Sequence, residues 1–578
     1  MPREGHPSHT SSQTHRALPK LPTNIVAGFS RDSLATDVLA GIAVAAVVVP
    51  QSMAYAEIAG LPPQAGIFVM FAAPLVYALL GTSRQLICGP SSATAAISFA
   101  HISSMAHRSS PDFASLSAAL AIVCGVIFLV LGVLRLGFVA QYISPSVQIG
   151  FLFGLGLTIM SGQAFTLLGL ESRAGPFIDQ VPALIEGAAR ANMWTLATGL
   201  AALVVMIGLG RFVPTFPAAL LVVALSIVLS SLLNLPSHGV AVLGHMARAL
   251  PTPAIPLVPP GRWLDLLPGA LAIVFISSSE GTTIARRFAD MHQYTIKLDR
   301  EFVAVGASAV ASGLVHGFAV SGGTSQSAVN DRAGAKSQVS SLVLSAVALI
   351  TGALLLPVIA DMPTAVLAAI VVSVVRGFIS FSSMREIWEI NKQNFIIAVV
   401  AVVGVLVFGV LTGLVLAVGL SIFWLLFQYG RPRVTVLNES PERAQDAPAA
   451  TPPGTGGSTR LLELRPEAAV LFINADWIRA EVQTHLRPEE APPEVLALDL
   501  AETPDLDYAG IKMIGALRDT AHSAGARVWL TNVHPDVDAA LRHAGLLKDG
   551  EPRWTLASSH EARAALAEEG KSSDMKAV

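Results

Sequence analysis

Two short segments rich in glycine and hydroxyl side chains are the most chemically suggestive part of the sequence. GPSSATA occupies residues 89–95 and GGTSQSA occupies residues 322–328, and the two align position by position at an offset of 233 residues. Such residues interrupt an apolar run and start a helix, whose first N–H groups are free donors with a partial positive charge. Helix ends of this kind bind anions. The candidate binding residues are Gly89, Ser91, Ser92, Thr94, Gly323, Thr324, Ser325 and Gln326.

The alternative role for any single serine or threonine here is close helix packing, which small residues promote in membrane bundles. The pairing of the two motifs favours a binding site over packing, because corresponding helix breaks in two halves are typical of transporters built from inverted repeats. Gln51 and Tyr55 lie one helical turn apart after Pro50. They are further candidates for the site, with core packing as the equal alternative.

Glu280 is the other unusual residue, since it lies inside the apolar stretch LAIVFISSSEGTTIA. A carboxylate at membrane depth is costly, and its default interpretation is functional. Glu280 is predicted to carry a coupling proton or, when ionised, to hold Na⁺ together with Thr283. The alternative is a structural carboxyl bonded to a nearby serine or threonine. Glu57 ends the first apolar span and is predicted to be interfacial and solvated.

The elements that must position these residues belong to a membrane protein. Of 578 residues, 53% are hydrophobic and only 13% are charged, with a mean hydropathy of +0.60. Soluble domains carry roughly a quarter charged residues. Residues 1–430 hold 21 Lys and Arg against 17 Asp and Glu, whereas residues 431–578 hold 16 against 23. The chain therefore consists of an apolar, slightly basic body and an acidic, soluble tail.

Apolar runs near the bilayer-crossing length of about 20 residues recur through the body. The block at 395–427 is too long for one crossing and predicts two, with a break at Thr412-Gly413. Residues 86–105 and 321–337 predict half-helices, which brings the count to fourteen segments. The full spans are predicted at 37–58, 64–80, 113–134, 144–170, 192–210, 214–234, 263–289, 300–318, 338–359 and 362–378.

Charge distribution predicts the orientation of these segments. With fourteen segments, sixteen Lys and Arg residues of the body face one side, and the other side has Arg108, Arg173, Arg190, Arg248 and Arg262. The positive-inside rule places the richer side, and with it both termini, in the cytoplasm of a multi-pass inner-membrane protein. Residues 1–36 are polar and lack an apolar signal-peptide core, so we expect a cytosolic N-terminal segment.

The tail follows a Pro/Gly/Ala/Ser-rich linker at 431–458. From residue 459 the pattern predicts strand–strand–helix–strand–helix–strand–helix, with strands at LLELR, AVLFI, VLALDL and ARVWLTN. Buried apolar strands alternating with helices predict a small α/β domain over 459–562, followed by a tail at 563–578.

Five stretches of the chain resemble the SulP family of sulfate permeases and the related animal anion exchangers, in family order. Together they are highly specific, and the resemblance extends over nearly the whole chain. They are PQSMAYAEIAGLPPQAGIF (50–68), GTSRQLICGPSSATAA (81–96), EGTTIARRFADMHQYTIKLDREFVAVGASAVASG (280–313), SGGTSQSAVNDRAGAKSQVS (321–340) and MPTAVLAAIVVSVV (362–375).

The resemblance implies a seven-plus-seven inverted repeat over 37–430, with a core of spans 1–4 and 8–11 and a gate of spans 5–7 and 12–14. It implies an anion site between half-helices 3 and 10, an elevator motion and a homodimer. The tail resembles a STAS domain. Many relatives carry an arginine where this chain has Gln326, and the phosphorylatable turn of regulatory STAS proteins is replaced by Asp507-Tyr508-Ala509-Gly510. The second departure favours a docking module over a phospho-switch.

These observations predict secondary active transport of an inorganic oxyanion, most simply sulfate, coupled to H⁺ or Na⁺. Bicarbonate or a dicarboxylate is the alternative substrate, and a non-transporting scaffold or sensor acting through STAS is the alternative class. A nucleobase carrier on the same fold would lack the STAS tail. We expect no enzymatic activity, no cofactor and no nucleic-acid partner; the expected partners are the anion, membrane lipid, a second copy and a cytosolic protein at STAS.

Overall fold

The structure is a computed structural model, and it divides into two compact units between Gly419 and Leu420. The first unit is helical, and the second contains a five-stranded sheet. The described residues are 33–108, 110–138, 144–171, 175–213, 217–244, 250–437, 461–486, 493–547, 555–558, 560–566 and 568.

The described part of the chain up to Tyr429 contains eighteen α-helices and two short strands, named here in chain order. The helices are α1 (Leu34–Ile58), α2 (Pro63–Leu80), α3 (Ser92–Ile102), α4 (Pro111–Val133), α5 (Pro145–Leu167), α6 (Phe177–Gly187), α7 (Met193–Phe212), α8 (Ala218–Leu232), α9 (Arg262–Asp265), α10 (Leu267–Met291), α11 (Leu298–Leu314), α12 (Thr324–Arg332), α13 (Val339–Ile350), α14 (Leu356–Ile359), α15 (Thr364–Val375), α16 (Phe381–Ile390), α17 (Lys392–Phe408) and α18 (Val410–Tyr429). The strands are β1 (Cys88–Pro90) and β2 (Val320–Gly322).

Nine helical stretches within the described part of the chain are long and apolar enough to cross a membrane. Three shorter apolar helices, α3, α8 and α17, accompany them. The structure therefore has the mostly helical membrane body that the composition predicts, whereas the seven-plus-seven symmetry stays a prediction. The break in the block 395–427 is at Gly409, not at Thr412-Gly413. Gly409 has φ +89°, a conformation that glycine adopts at little cost, and Gly413 continues inside α18.

Glycine allows the helices of this unit to pack very closely. Gly125 on α4 and Gly306 on α11 face each other, so that a Cβ atom built on either would lie 2.6 to 2.8 Å from the carbonyl oxygen of the other. On α2, a Cβ atom at Gly66 would lie 1.9 Å from the carbonyl oxygen of Ser52. These contacts between backbones are the small-residue packing typical of membrane bundles.

The two half-helices are each preceded by a short strand, which the sequence did not predict. Strands β1 and β2 pair antiparallel, with Gly89 opposite Ser321. Helix α3 begins at Ser92 and α12 begins at Thr324, so the structural offset between the motifs is 232 residues and the aligned offset of 233 is wrong by one. The N-cap residues show the difference. Ser91 is the N-cap of α3 and Gly323 is the N-cap of α12, so the two structurally equivalent positions carry different residues.

The second unit is an α/β domain. Its sheet has the order β3 (Val434–Val436), β4 (Leu461–Pro466), β5 (Val495–Asp499), β6 (Arg527–Thr531) and β7 (Thr555–Leu556), antiparallel between β3 and β4 and parallel elsewhere. The helices are α19 (Ala475–Thr484), α20 (Tyr508–Ser523) and α21 (Pro535–His543). Buried side chains of α19 and α20 pack against β4–β6 in one core.

Three details of the predicted tail differ from the structure. AVLFI is not a strand, because only Val470 makes a bridge, to Leu506, before the chain turns into α19. Strand β3 lies inside the residues predicted as linker and pairs with β4, where Leu437 N–H donates to the Glu463 carbonyl. Strand β7 supplies the opposite edge. Both edge strands are too short to show the periodicity from which strands are predicted.

Candidate functional site

The crossing of β1 and β2 brings the N-termini of the two half-helices together. Each helix starts within two residues of its strand, and the paired strands run in opposite directions. The helices α3 and α12 therefore leave the crossing in opposite directions with their N–H ends close to it. The crossing residues Cys88 to Pro90 and Val320 to Gly322 are all buried. This is the arrangement in which two positive helix ends can share one ligand.

The N-terminus of α3 is closed by its own side chains. The Ser91 hydroxyl accepts a hydrogen bond from the Thr94 N–H at 3.2 Å, and the Thr94 hydroxyl accepts one from the Ser91 N–H at 3.3 Å. This capping box satisfies donors that an anion would otherwise use. The structure therefore assigns the two predicted ligands Ser91 and Thr94 to capping, and leaves Ser92, which is buried, as the hydroxyl of this helix nearest the partner residues described below.

A carboxylate from another helix lies beside the start of α12. The N-cap of α12, Gly323, has no side chain, and the side chain of Glu280 on α10 contacts hydroxyl groups next to it. Glu280 accepts hydrogen bonds from the hydroxyls of Ser321 and Thr324, each at 3.1 Å. Thr324 and Ser325 are exposed. The two half-helix ends thus differ: α3 is capped by its own residues, whereas α12 has no side-chain cap and begins beside a titratable carboxylate.

Tyr55 connects the two helix ends. Its hydroxyl interacts with the hydroxyls of Ser92 and Ser325, and it lies close to the Glu280 carboxylate. One turn earlier on α1, the Gln51 side chain is buried, and its Oε1 atom has no hydrogen-bond partner among the described residues. The structure brings these predicted residues together from four helices, α1, α3, α10 and α12. A buried carbonyl oxygen without a partner is costly, which is a reason to expect a donor there.

Gln326 does not face the opening. Its side chain is only 1% exposed, and its Nε2 atom donates to the Pro90 carbonyl at 2.9 Å. The amide lies against both motif glycines: a Cβ atom built on Gly89 or Gly323 would come within 3.0 or 2.5 Å of its Oε1 atom. Gly89 and Gly323 therefore make room for Gln326, and Gln326 joins the two half-helices to each other.

Thr283, the predicted partner of Glu280, lies almost one turn further along α10 and is exposed. None of the hydrogen bonds in the described part of the chain joins it to Glu280. The alternative of a structural carboxyl is partly realised, since Glu280 is bonded to Ser321 and Thr324. Both partners belong to the half-helix segment, however, and not to α10 itself. Neutralising Glu280 would therefore alter the end of α12 directly.

Glu57 lies on the wall of a cavity of about 480 Å³ between the ends of α1 and α3 on one side and α5, α6 and the α17–α18 turn on the other. Arg108 shares this wall and interacts with the Glu57 carboxylate. The cavity also reaches Ala96, one turn into α3. It is an approach from this end of the bundle to the half-helix, lined by one residue of each charge and by apolar side chains such as Phe99 and Leu155.

Comparison with known proteins gives the family. The sequence profile described as "Sulfate permease family" matches residues 34–401, and the profile described as "STAS domain" matches residues 453–562. The chain belongs to the sulfate permease family. It is 32% identical over 524 residues to a probable sulfate transporter of Mycobacterium tuberculosis (strain ATCC 25618 / H37Rv), covering 90% of this chain and 94% of the relative. It is 29% identical to High affinity sulfate transporter 1 of Stylosanthes hamata, covering 89% and 80%.

Solved structures show the same fold. The murine Solute Carrier 26 family member A9 anion transporter in the inward-facing state superposes with a TM-score of 0.86 at 22% identity, covering 96% of both chains. The transmembrane domain of a cyanobacterium bicarbonate transporter, BicA, superposes with a TM-score of 0.59 at 22% identity, covering 68% of this chain and 99% of that one. The family fold, a helical membrane body followed by a STAS domain, is therefore present here.

Several polar residues that join the segments around this candidate site were not predicted from the sequence. The Tyr294 hydroxyl donates to Gln85 Oε1 at 2.8 Å and accepts from the Arg84 N–H at 3.1 Å. Burial raises the pKa of Tyr294, so the phenol keeps its proton and remains a donor. Asn330 on α12 donates to the Gln85 carbonyl at 3.0 Å. Single polar residues of this kind carry no periodic signal, so the sequence alone gives no reason to select them.

Proposed function

We propose that this protein is a secondary active transporter of an inorganic oxyanion, with sulfate as the first candidate and H⁺ or Na⁺ as the coupling ion. Family membership and the names of the relatives support anion transport. The observation that carries the coupling is the position of Glu280 at the N-terminus of α12, where its carboxylate accepts bonds from Ser321 and Thr324. An incoming anion needs these same donors.

The coupling follows from charge competition at that helix end. Two unit negative charges about 4 Å apart repel by about 4 kcal/mol at an effective dielectric constant of 20. Gln326, where many relatives carry an arginine, supplies no positive charge to offset this. A proton on Glu280, or Na⁺ beside it, removes the repulsion and frees the hydroxyls for the anion. The anion then lies between the ends of α3 and α12, with Ser92, Ser325 and Tyr55 as donors.

Movement of the site follows the elevator scheme of the predicted core and gate. Helices α3 and α12 are joined by the β1–β2 pairing and by the Gln326 bond to Pro90, so they can move as one body. The cavity between Glu57 and the α17–α18 turn would then be an access path that opens and closes against the gate. Both termini, the linker and the STAS domain are proposed to be cytoplasmic, and the transporter to be a homodimer in the inner membrane.

The number of hydrogen-bond donors at this site, and not a fixed positively charged side chain, selects the substrate. Sulfate and bicarbonate both present several acceptor oxygens, and the bicarbonate transporter among the structural neighbours makes bicarbonate the second candidate. A dicarboxylate requires more room. A scaffold without transport would have no use for a carboxylate beside the start of a half-helix. The STAS domain is proposed to bind a cytosolic protein, since Asp507 caps α20 by accepting from the Gly510 N–H and Tyr508 is exposed.

The test is radiotracer uptake into proteoliposomes with competing sulfate, bicarbonate, nitrate and dicarboxylate under imposed H⁺ or Na⁺ gradients. Wild-type protein should concentrate sulfate only with the coupling gradient. Glu280→Gln keeps the shape of the protonated acid but cannot exchange a proton. It should retain sulfate–sulfate exchange and lose gradient-driven accumulation. Ser92→Leu and Ser325→Leu put bulk between the helix ends and should abolish both activities.

Asp112→Asn is the control, because Asp112 is an exposed carboxylate in the first turn of α4 and lies neither on the cavity wall nor at the start of α12. It should accumulate sulfate as the wild type does. The coupling assignment is wrong if Glu280→Gln still concentrates sulfate with unchanged pH and Na⁺ dependence, or if Asp112→Asn loses coupling to the same extent. If the wild type concentrates none of the four anions under either gradient, the proposed transport function itself is wrong.

A further inference from the structure

Glu301 is a buried carboxylate that the proposed coupling does not use. It lies in the first turn of α11, its side chain is 3% exposed, and none of the ion pairs in the described residues includes it. All of its hydrogen-bond partners are donors from the end of α2 and the segment that follows. The Tyr77 hydroxyl donates at 2.5 Å, and the Thr82 and Ser83 N–H groups donate at 2.6 and 3.0 Å. The Thr82 hydroxyl is a further donor.

These contacts join Glu301 on α11 to residues more than 200 positions earlier in the chain. Those earlier residues lie directly before β1 and the half-helix α3. The residues between Thr82 and Cys88 are themselves linked to α12. Ser83 Oγ accepts from the Leu86 N–H at 3.3 Å, and the Ile87 N–H donates to Ser327 on α12 at 2.9 Å. A continuous set of hydrogen bonds thus runs from Glu301 through this entry segment, residues 82–87, to the place where both half-helices begin.

A second buried carboxylate makes the same kind of contact on the other half-helix. Asp37, at the start of α1, is fully buried and accepts from the Lys336 and Ser337 N–H groups at 2.7 and 3.2 Å. The Ser337 hydroxyl donates to its second oxygen at 2.6 Å. Residues 336 and 337 follow α12 closely. In both places a carboxylate binds two successive backbone N–H groups and a hydroxyl beside a half-helix.

We propose that Glu301 is a positioning residue for the anion site, fixing the entry segment and with it the N-terminus of α3. This proposal rests on the proposed transport function, because the effect of Glu301 on the site is measured as the affinity of the transporter for its anion. A charged acceptor makes hydrogen bonds roughly twice as strong as a neutral one. The carboxylate therefore holds two backbone N–H groups in one orientation, and Asp37 does the same after α12.

Glu301→Gln is the informative variant. In this variant the amide oxygen can still accept from the Thr82 and Ser83 N–H groups. The amide nitrogen replaces the oxygen that faces Tyr77 and can donate to the Tyr77 hydroxyl, so this hydroxyl keeps a partner and neither N–H group is left without an acceptor. We expect the KM for sulfate to rise about fivefold to tenfold with a maximal rate within twofold of wild type. Glu301→Leu removes every acceptor and should raise the KM further or lower the yield of folded protein.

Asp299→Asn is the matched control. Asp299 lies on the same helix two residues earlier, and its carboxylate also accepts a backbone N–H, from Gly137 at 3.1 Å. Gly137 follows α4 and does not lead into a half-helix. The same carboxylate-to-amide change at Asp299 should therefore leave the KM within twofold of wild type. Asp37→Asn should behave like Glu301→Gln, because it weakens the equivalent contact after α12.

The second readout is hydrogen exchange of full-length protein, followed by mass spectrometry of peptides covering residues 82–90. Exchange there should be at least fivefold faster in Glu301→Gln than in wild type and unchanged in Asp299→Asn. Unchanged exchange in Glu301→Gln overturns the proposal whether or not the protein moves sulfate. The proposal is also overturned if Glu301→Gln has the KM of the wild type. It is overturned as well if Glu301→Gln and Asp299→Asn lose maximal rate equally and neither changes in KM. Failure of wild-type transport refutes the proposed function, and the exchange experiment then decides on Glu301 alone.

Discussion

Replacing Asp499 by asparagine in the STAS domain should destabilise that domain strongly. Asp499 ends strand β5, its side chain is fully buried, and each carboxylate oxygen accepts two hydrogen bonds. Among the described contacts, Oδ2 accepts from Arg465 Nη2 at 2.6 Å and Nε at 3.1 Å. Oδ1 accepts from the Ala501 N–H at 2.9 Å and from Asn532 Nδ2 at 3.1 Å. The four donors come from the ends of three parallel strands or the turns that follow them.

The magnitude follows from what asparagine can accept. It has one acceptor oxygen, so in either orientation two of the four donors would face an amide NH₂ group. Hydrogen bonds to a charged group contribute about 1.5–3 kcal/mol each. Because the Arg465 side chain is 29% exposed, solvent partly replaces its lost bonds. We therefore expect a loss of about 3 kcal/mol, a large part of the 5–15 kcal/mol typical of a domain.

The assay is thermal and urea unfolding of a fragment of residues 431–568, which includes strand β3 as well as β4–β7. At about 4 °C per kcal/mol for a domain of this size, Asp499→Asn should lower the Tm by about 12 °C. The control is Asp538→Asn, because Asp538 accepts from Arg542 at the same 2.6 Å but in an exposed pair one helical turn apart. Such pairs contribute about 0.5 kcal/mol. Equal Tm shifts in the two variants would refute the reasoning, since burial is the difference between them.

Two further predictions concern the membrane body. Leu257→Cys, at a side chain that is 90% exposed, should react with an impermeant thiol reagent on intact cells. Thr455→Cys, in the predicted linker, should react only after lysis. The reverse pattern would contradict the prediction that both termini are cytoplasmic. Gly66→Ala should abolish the monodisperse peak in size-exclusion chromatography, because its Cβ atom would lie 1.9 Å from the Ser52 carbonyl oxygen, whereas Gly208→Ala, with open space around it, should elute as wild type does.

The class of fold could be predicted from the sequence because it depends on patterns that repeat. Apolar runs of bilayer length and a shift in charge at residue 430 are sufficient to separate a helical body from a soluble tail. Two half-helices were predicted where glycine and serine interrupt such runs, and helices α3 and α12 do begin there. The strands that pair ahead of them could not be predicted, since three-residue strands such as Cys88–Pro90 contain no alternation that could be recognised.

Candidate site residues could be predicted from the sequence, but their geometry could not. Residue types and spacing selected Tyr55, Ser92, Ser325 and Glu280 as candidates, and the structure brings these four residues together from four helices. The individual role of each hydroxyl depends on a one-residue difference in where a helix begins. That difference makes Ser91 a cap and Thr324 a partner of Glu280, and the sequence alignment of the two motifs cannot show it.

The proposed mechanism gives the two half-helix ends different tasks. Helix α3 is capped by Ser91 and Thr94, two groups that do not titrate near neutral pH, so the donors at its end would change little during a transport cycle. The hydroxyls of Ser321 and Thr324 at the start of α12 donate to Glu280, so under the proposal they become available to an anion only when that carboxylate is neutralised. Because Gln326 bonds α12 to Pro90 at the strand crossing that precedes α3, a change of charge at α12 would act on an anion held between both helix ends. One end with fixed donors and one end beside a titratable carboxylate would then couple the movement of an anion to that of a cation.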